Sequence, residues 1–186
     1  MTGKGHLIFA LASIFFVKKI NLFHSLSQGH WGHVIIGTIC ACLIPDIDHP
    51  QSILGQRVKF ISVPIIKVFG HRSLTHSLFA VFIFSFFIIT LNNIFNIAIP
   101  LDIVQSMIVG YISHIIADFL TPSGVYLLWP LHIKFRISII QNSIWEEKIL
   151  CLVILILVFI YPYKLDLMKF LKNSIHNYLY NNIIKI

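Results

Sequence analysis

A polar stretch between two apolar segments holds the densest group of ionisable residues in the chain. It runs from Pro45 to Ser77, beginning with PDIDHP and ending with GHRSLTHS. Only seven of the 186 residues are Asp or Glu, and two of them lie here beside three of the ten histidines. Ionisable groups in so apolar a chain are costly unless they are paired, solvated or bound to a cation. The stretch is therefore predicted to form a metal site at a membrane.

Two carboxylates of this stretch, Asp46 and Asp48, lie between two prolines. Each proline fixes its own φ and disfavours helix at the residue before it, so the motif is predicted to be extended or a turn. In an extended backbone, residues two apart point the same way. Carboxylates held that close repel each other unless a cation lies between them. The alternative is an Asx-turn that caps a helix, with the second Asp solvated.

The second half of the stretch joins the loop to the next apolar segment. Ser73 or Thr75 is predicted to be the N-cap of a helix, which puts His76 in its first turn and His71 just before it. Arg72 offers a fork of donors that suits phosphate or carboxylate. The alternative is an ordinary capping sequence with exposed histidines.

A third motif, His114-Ile-Ile-Ala-Asp118, lies inside an apolar run. Residues i and i+4 of a helix share one face, so both side chains can approach one cation. The alternative is a His and an Asp that hydrogen-bond to each other between helices. Taken together, the motifs offer the His and Asp ligands that Zn²⁺ and other divalent transition metals prefer.

The elements that must position these residues are apolar. Hydrophobic residues make up 57% of the chain and the mean hydropathy is +0.85, which indicates a membrane protein. Helices are favoured because a backbone in lipid must satisfy its own hydrogen bonds. Five apolar segments are apparent: Leu7 to Val17, Val34 to Ile44, Ser77 to Leu91, Leu101 to Leu120 and Ile149 to Tyr163.

Segment length and loop charge bear on how these helices meet the bilayer. The first two segments are shorter than the roughly 20 residues that cross the hydrocarbon core, so they are predicted to be buried or re-entrant. If all five alternate across the bilayer, His6, the polar stretch and the end of the fourth segment meet at one face. The short-loop Lys and Arg residues of that face predict a cytoplasmic location, whereas Lys18, Lys19 and the lysines of the tail argue for the opposite one. The basic residues are too dispersed for nucleic-acid binding.

The chain is predicted to have two parts. Residues 1–163 form the membrane-embedded domain. Residues 164–186 carry apolar and Lys positions at mixed helical spacing, which predicts an interfacial tail. Neither an internal repeat nor a low-complexity linker is apparent, and the candidate site residues all lie in the first part.

The motifs together resemble the YdjM family, LexA-regulated, membrane-bound metal-dependent hydrolases of bacterial inner membranes. The resemblance covers roughly the first 140 residues, and the joint occurrence of the motifs makes it specific. The matching segments are GHL from Gly5, PDIDHP from Pro45, LGQR from Leu54, GHR from Gly70, THS from Thr75, GY from Gly110, His114, DFLTPSG from Asp118 and LWP from Leu128.

This resemblance implies a helical integral membrane protein with hydrolase activity. The order of His and Asp residues is also similar to the ligand series of the zinc-dependent bacterial phospholipases C. On that analogy the ligands would be His6, Asp46, one of His71 or His76, His114 and Asp118. The chain has no His-x-x-x-Glu pair after Asp118 that, with a further His, would complete a trinuclear zinc site. A mononuclear or binuclear site is therefore expected.

The sequence thus predicts an all-α, multi-pass inner-membrane protein of four to five apolar helices, with a metal site at its cytoplasmic face. The metal is expected to be Zn²⁺, with Mn²⁺ as an option, and the substrate a membrane-associated ester or phosphoester. Asp48 and His71 are predicted to be alternate ligands or general bases, and Arg72 to stabilise developing negative charge. The rival hypotheses are a non-catalytic metal-binding or transport protein and a structural membrane component. The predicted ligands are His6, Asp46, His76, His114 and Asp118.

Overall fold

Helices dominate the computed structural model, which describes residues 1–95, 99–139 and 144–160. Over these ranges it contains no strand beyond an isolated bridge between Val125 and Phe135, so the all-α prediction is confirmed. The α-helices of the described ranges are α1 (Gly3–Lys19), α2 (His24–Gln28), α3 (Trp31–Cys42), α4 (Lys59–Phe69), α5 (Leu78–Phe95), α6 (Leu101–Phe119) and α7 (Ile144–Ile160).

Each of the five apolar segments corresponds to one long helix, namely α1, α3, α5, α6 and α7. Two further helices, α2 and α4, lie where the sequence predicts connections. Helix α4 falls inside the polar stretch and contains Pro64. Among its side chains only Ser62 is buried, while Phe60 and Val68 are more than 70% exposed. A helix with such an exposed apolar surface is suited to the membrane interface.

Helix α6 lies at the centre and contacts α1, α2, α3 and α5. Its approach to α3 is close because both helices carry glycine at the crossing. A Cβ on Gly110 would press on the backbone carbonyl of Thr38, and one on Gly37 would press on Ser106. Small residues allow helix backbones to come this near in membrane proteins. Gly37 and Gly110 therefore allow α3 and α6 to pack closely, because neither residue has a side chain at the crossing.

Two clusters of buried side chains hold the helices together. One joins α1, α2, α3 and α6 through Ile14, Leu26, Val34 and Val109. The other packs α5 and α6 against the segment after α6, and it consists of Ala80, Tyr111, Ile115 and Val125. The second cluster lies nearer the polar stretch, because the hydroxyl of Tyr111 donates to the carbonyl of Thr75 at 2.7 Å.

The outer helices expose apolar surface that needs an apolar solvent. Only 11% of α5 is buried, and its Phe82, Phe86 and Phe87 side chains are more than half exposed. Within the described ranges, two segments are long and apolar enough to cross a membrane: Trp31–Asp48, with a mean hydropathy of 1.3, and Leu78–Phe95, with 2.2. Exposed apolar surface of this extent indicates contact with lipid. The predicted tail, residues 164–186, lies outside the described residues.

The polar residues meet at one end of the bundle. There the start of α1 lies next to the ends of α3 and α6 and to the start of α7. The amino group of Met1 is 3.1 Å from Asp118, and the backbone N–H of Thr2 donates to Glu147 at 3.0 Å. Four helices therefore bring their polar termini to one place.

Candidate metal centre

A 3₁₀ turn at Pro45–Asp48 follows α3 and presents the first two carboxylates. The expected turn is thus confirmed, whereas the extended alternative, with both carboxylates pointing the same way, is wrong. In the turn, Asp46 and Asp48 reach opposite nitrogens of one imidazole. Asp46 Oδ1 lies 4.0 Å from His76 Nε2, and Asp48 Oδ2 lies 3.4 Å from His76 Nδ1. Because of this turn, Asp46 lies on the Nε2 side of His76 and Asp48 lies on its Nδ1 side.

The GHRSLTHS segment folds around Asp48. Gly70 and Arg72 both have positive φ, 79° and 59°, and the backbone N–H of Arg72 donates to Asp48 at 2.8 Å. A positive φ is unusual for Arg, and such conformations gather at functional sites. The Thr75 hydroxyl also donates to Asp48, at 2.7 Å. The segment is thus held in place by one buried carboxylate.

The predicted N-cap of the following helix is wrong. A 3₁₀ turn, Leu74–His76, precedes α5, and His76 lies in that turn instead of the first turn of the helix. The hydroxyl of Ser77 accepts the backbone N–H of Ala80 at 3.1 Å, which is the hydrogen bond of an N-cap. The reason is that Thr75 is engaged by Asp48 and cannot cap the helix.

Helix α6 presents His114 and Asp118 toward the same end, one turn apart. The ring of His114 is fully buried, and its Nδ1 donates to the carbonyl of Cys42 at 2.6 Å. A backbone acceptor at Nδ1 fixes the tautomer and leaves the Nε2 lone pair free for a ligand. The His114 Nε2 atom lies 3.6 Å from Asp118 Oδ2 and 3.5 Å from Asp46 Oδ1.

Asp118 is the hub of the cluster. Its Oδ1 lies 2.9 Å from Arg72 Nη2 and 3.3 Å from His6 Nε2. Its Oδ2 lies 3.2 Å from His76 Nε2. The ring of His6 stacks on that of His114 with centroids 3.7 Å apart. One fully buried carboxylate thus collects side chains from α1, α6 and the segment before α5.

Five buried atoms of this cluster lack a hydrogen-bond partner, and three of them face one another: Nε2 of His76, Nε2 of His114 and Oδ2 of Asp118. The other two are Nδ1 of His6 and Nε of Arg72. Leaving such atoms unsatisfied in a protein interior is costly, and a bound ion is one explanation. Both Nε2 atoms lie 3.2–3.6 Å from the carboxylate oxygen. A tetrahedral zinc with ligands at 2.0–2.1 Å separates its ligand atoms by roughly 3.4 Å. The residues therefore fit a divalent metal ion.

Within the described ranges, two groups have ligand atoms close enough to share an ion. Both contain His114, and because its Nδ1 is engaged by a carbonyl, its one free nitrogen can serve one ion only. Taken together, the two groups contain all five predicted ligands. The groups are His6, His114 and Asp118, and Asp46, His76 and His114.

The charge at this place favours a cation. Burial disfavours the protonated form of His76, but the nearby Asp118 and Asp48 carboxylates outweigh that effect and raise its pKa to about 9. Its Nδ1–H can donate to the Thr75 hydroxyl at 3.0 Å, because that hydroxyl already donates to Asp48. Two carboxylates that hold a proton on an imidazole would also hold a metal in its place.

The three residues predicted to do chemistry lie beside this cluster. Asp48 is fully buried, and its Oδ1 lies 3.0 Å from Nδ1 of the half-exposed His71. Arg72 donates to Asp118 and, at 3.2 Å, to the Thr121 hydroxyl. A cavity of about 460 Å³ reaches the site and is lined in part by Asp46, His71 and Arg72. Solvent thus has access to its polar side.

Some participants were not identified from the sequence. The carbonyl of Cys42 gives no residue-type signal, because any residue could supply it. Glu147, which accepts hydrogen bonds from the backbone and hydroxyl of Thr2, did give a signal, since it is one of few acids and begins an apolar segment. By contrast, His33 belongs to α3 and pairs with Asp102 at the start of α6, away from the cluster.

Comparisons with known proteins give consistent results. The model of the family described as YdjM inner membrane protein matches residues 1–173. Proteins named inner membrane protein YdjM, from Escherichia coli K12 and Shigella flexneri, are each 46% identical over 160 residues, 84% of this chain and 80% of the relative. The uncharacterized protein YvsG of Bacillus subtilis is 32% identical over 143 residues, 77% of this chain and 82% of its own length. No solved structure matches significantly.

Proposed function

Because the chain belongs to the YdjM family of inner membrane proteins, we propose that it is a multi-pass membrane enzyme that hydrolyses an ester or phosphoester with one divalent metal ion. The observation that carries the proposal is the trio of buried, unsatisfied ligand atoms on His76, His114 and Asp118. A structural role alone does not account for two unsatisfied imidazole nitrogens that lie 3.2–3.6 Å from an unsatisfied carboxylate oxygen. A cation does, because it satisfies all three at once.

The proposed ligands are Asp46, His76, His114 and Asp118, with His6 as a fifth. These donors are two carboxylates and three imidazoles, the set that Zn²⁺ and Mn²⁺ accept. The neighbours of the ligands orient them, since the Cys42 carbonyl holds His114 and the Asp48 carboxylate holds His76. Such outer contacts set the tautomer and the basicity of ligand imidazoles.

The bound metal would supply Lewis acidity and lower the pKa of a coordinated water. In the reaction, the water oxygen bonds to the acyl carbon or phosphorus while the bond to the leaving alcohol breaks. His71, oriented by Asp48, accepts the water proton, and the alcohol oxygen takes up a proton as it leaves. Arg72, beside Asp118 in the cavity wall, stabilises the negative charge that develops on the substrate.

The site is proposed to face the cytoplasm. Its end of the molecule carries exposed cations such as Lys4, Arg57 and Lys148 in short loops and at helix starts. Lys and Arg accumulate on the cytoplasmic side of inner-membrane proteins. If this is right, a cysteine placed at Arg57 reacts with a membrane-impermeant maleimide only after the inner membrane of whole cells is permeabilised.

The first test of the function is the metal content of the full-length protein, purified in detergent without chelator. We expect about one Zn²⁺ or Mn²⁺ per chain in the wild type, loss of it in His114→Ala, and retention in the matched variant His33→Ala. The same preparations are then assayed against a panel of carboxylic and phosphoric esters. Hydrolysis by the wild type and His33→Ala, but not by His114→Ala, supports the proposal.

Other outcomes contradict the proposal in different ways. A wild-type protein that neither carries nor takes up metal removes the basis for a hydrolase. A protein that binds metal stoichiometrically but hydrolyses no ester favours the alternative, a non-catalytic metal-binding or transport protein. Metal retained in His114→Ala would mean that the ion lies elsewhere.

A further inference from the structure

Two cavities meet at the start of α1. The polar one, of about 460 Å³, reaches the candidate metal centre. A second, of about 450 Å³, lies between α1 and α7. Thr2 and Lys4 line both cavities, so the two are adjoining compartments.

The second cavity, called here the α1/α7 groove, is apolar. Ile8, Cys151, Leu152 and Leu155 supply its apolar side chains. Leu152 is 57% exposed and Ile8 is 40% exposed, so the groove opens sideways on the apolar outer surface of the bundle. A groove with this opening is accessible from a bilayer and has the character of a binding site for an alkyl chain.

Cations surround the junction of the two compartments. Lys4 and Lys148 line the groove, and both are exposed. Arg72 lines the polar cavity. One acid, Glu147, also lines the groove, and it is already engaged by the backbone and hydroxyl of Thr2. Positive charge between a polar and an apolar compartment complements an anionic group that is attached to an alkyl chain.

We propose that the substrate is an anionic phosphate-ester lipid of the bilayer, with its phosphate in the polar cavity and one acyl chain in the α1/α7 groove. This inference rests on the proposed function and narrows its substrate class. The arrangement brings the phosphate to the metal side of the molecule without removing the acyl chain from an apolar environment. It also explains why Lys4 faces both compartments.

The test is photocrosslinking in phosphatidylcholine nanodiscs, with a diazirine on one acyl chain of phosphatidic acid. In the wild type we expect adducts on the α1 and α7 residues that line the groove, at several times the yield given by diazirine-labelled phosphatidylcholine. Leu152→Trp, which fills the groove, should lower the yield at least about fivefold. Leu157→Trp is the matched control, because Leu157 is equally exposed on α7 but does not line the groove.

Several outcomes would overturn the inference. Adducts spread evenly over the lipid-facing helices, or unchanged in Leu152→Trp, would show that the groove holds no chain. Competition by inorganic phosphate without groove adducts would show that the site takes a free anion instead. The wild-type adduct map needs no variant, so it decides the matter even if Leu152→Trp fails to fold. The map is also independent of turnover, so a groove without adducts in an enzyme that hydrolyses soluble esters refutes this inference alone.

Discussion

The two ends of α6 both carry an aspartate beside a histidine, yet their surroundings differ. At the start of the helix, Asp102 accepts the N–H of Ile103 and contacts His33, whose side chain is 46% exposed. Both oxygens of Asp102 therefore have a partner. At the other end, Asp118 is fully buried among three imidazoles, and its Oδ2 has no hydrogen bond.

This difference shows what distinguishes a structural acid from a candidate metal ligand. The Asp102 pair needs nothing more, because its hydrogen bonds are made and its histidine reaches solvent. In the Asp118 cluster, two imidazole Nε2 atoms and one carboxylate oxygen have no hydrogen-bond partner, and a bound cation would satisfy all three. Residue types are similar at both ends of α6, so the unsatisfied atoms are what distinguish the candidate metal site from the structural pair.

The largest effect is expected when the two aspartates are changed in the same way. Asp118→Asn removes a carboxylate from the centre of the cluster, whereas Asp102→Asn changes an acid far from it. We expect the metal affinity of Asp118→Asn to fall by more than about 100-fold, since even outer contacts of a metal site contribute 10–100-fold. Asp102→Asn should bind metal as the wild type does, as measured by titration of the metal-free protein.

Equal losses of metal affinity in both variants would contradict the proposed difference between the two ends of α6. They would mean that the metal content follows overall stability instead of the Asp118 cluster. Thermal unfolding of both proteins, recorded in the same detergent, separates these explanations. A metal-free Asp118→Asn protein that unfolds like metal-free wild type has lost a ligand and not its fold.

A smaller effect is expected at Asp48, which contacts the cluster without belonging to either ligand group. Asp48→Asn keeps the volume but places an amide N–H₂ among groups that donate to this side chain, the Arg72 N–H and the Thr75 hydroxyl. We expect the metal affinity to fall by about 10–100-fold. A loss as large as in Asp118→Asn would make Asp48 a ligand itself, and no loss would remove it from the site.

The next effect concerns the crossing of α3 and α6, which positions the helices of the site but provides no ligand. Gly110→Ala pushes a Cβ against the Thr38 carbonyl, so α3 and α6 must separate. We expect a loss of about 1–3 kcal/mol in the free energy of unfolding, the usual cost of overpacking. Gly32→Ala is the control, because its Cβ would meet only the side chain of His30, at 3.1 Å. Similar stability of the two variants would contradict a tight crossing.

These residues also show how far the sequence could lead. The apolar segments predicted the five long helices, and the motifs predicted the His and Asp side chains of the cluster, because ionisable residues are conspicuous in an apolar chain. The separate uses of Asp46 and Asp48 could not be predicted, since they depend on a 3₁₀ turn and not on spacing. The predicted N-cap of α5 is wrong because the Thr75 hydroxyl donates to Asp48, which lies 27 residues away in the sequence. Backbone contributions such as the Cys42 carbonyl leave no trace in residue type.

The smallest effect is expected where α7 meets the site. Glu147 accepts the N–H and hydroxyl of Thr2 and thereby holds the start of the helix that carries His6. Glu147→Gln keeps one acceptor and loses the charge, so α1 should be held less firmly. We expect the metal affinity to fall by less than about tenfold, below the effect of Asp48→Asn. Glu146→Gln, a neighbour with the same change of charge, serves as the control in the same titration. If Glu147→Gln instead matches Asp118→Asn, α7 belongs to the metal site as fully as α6 does.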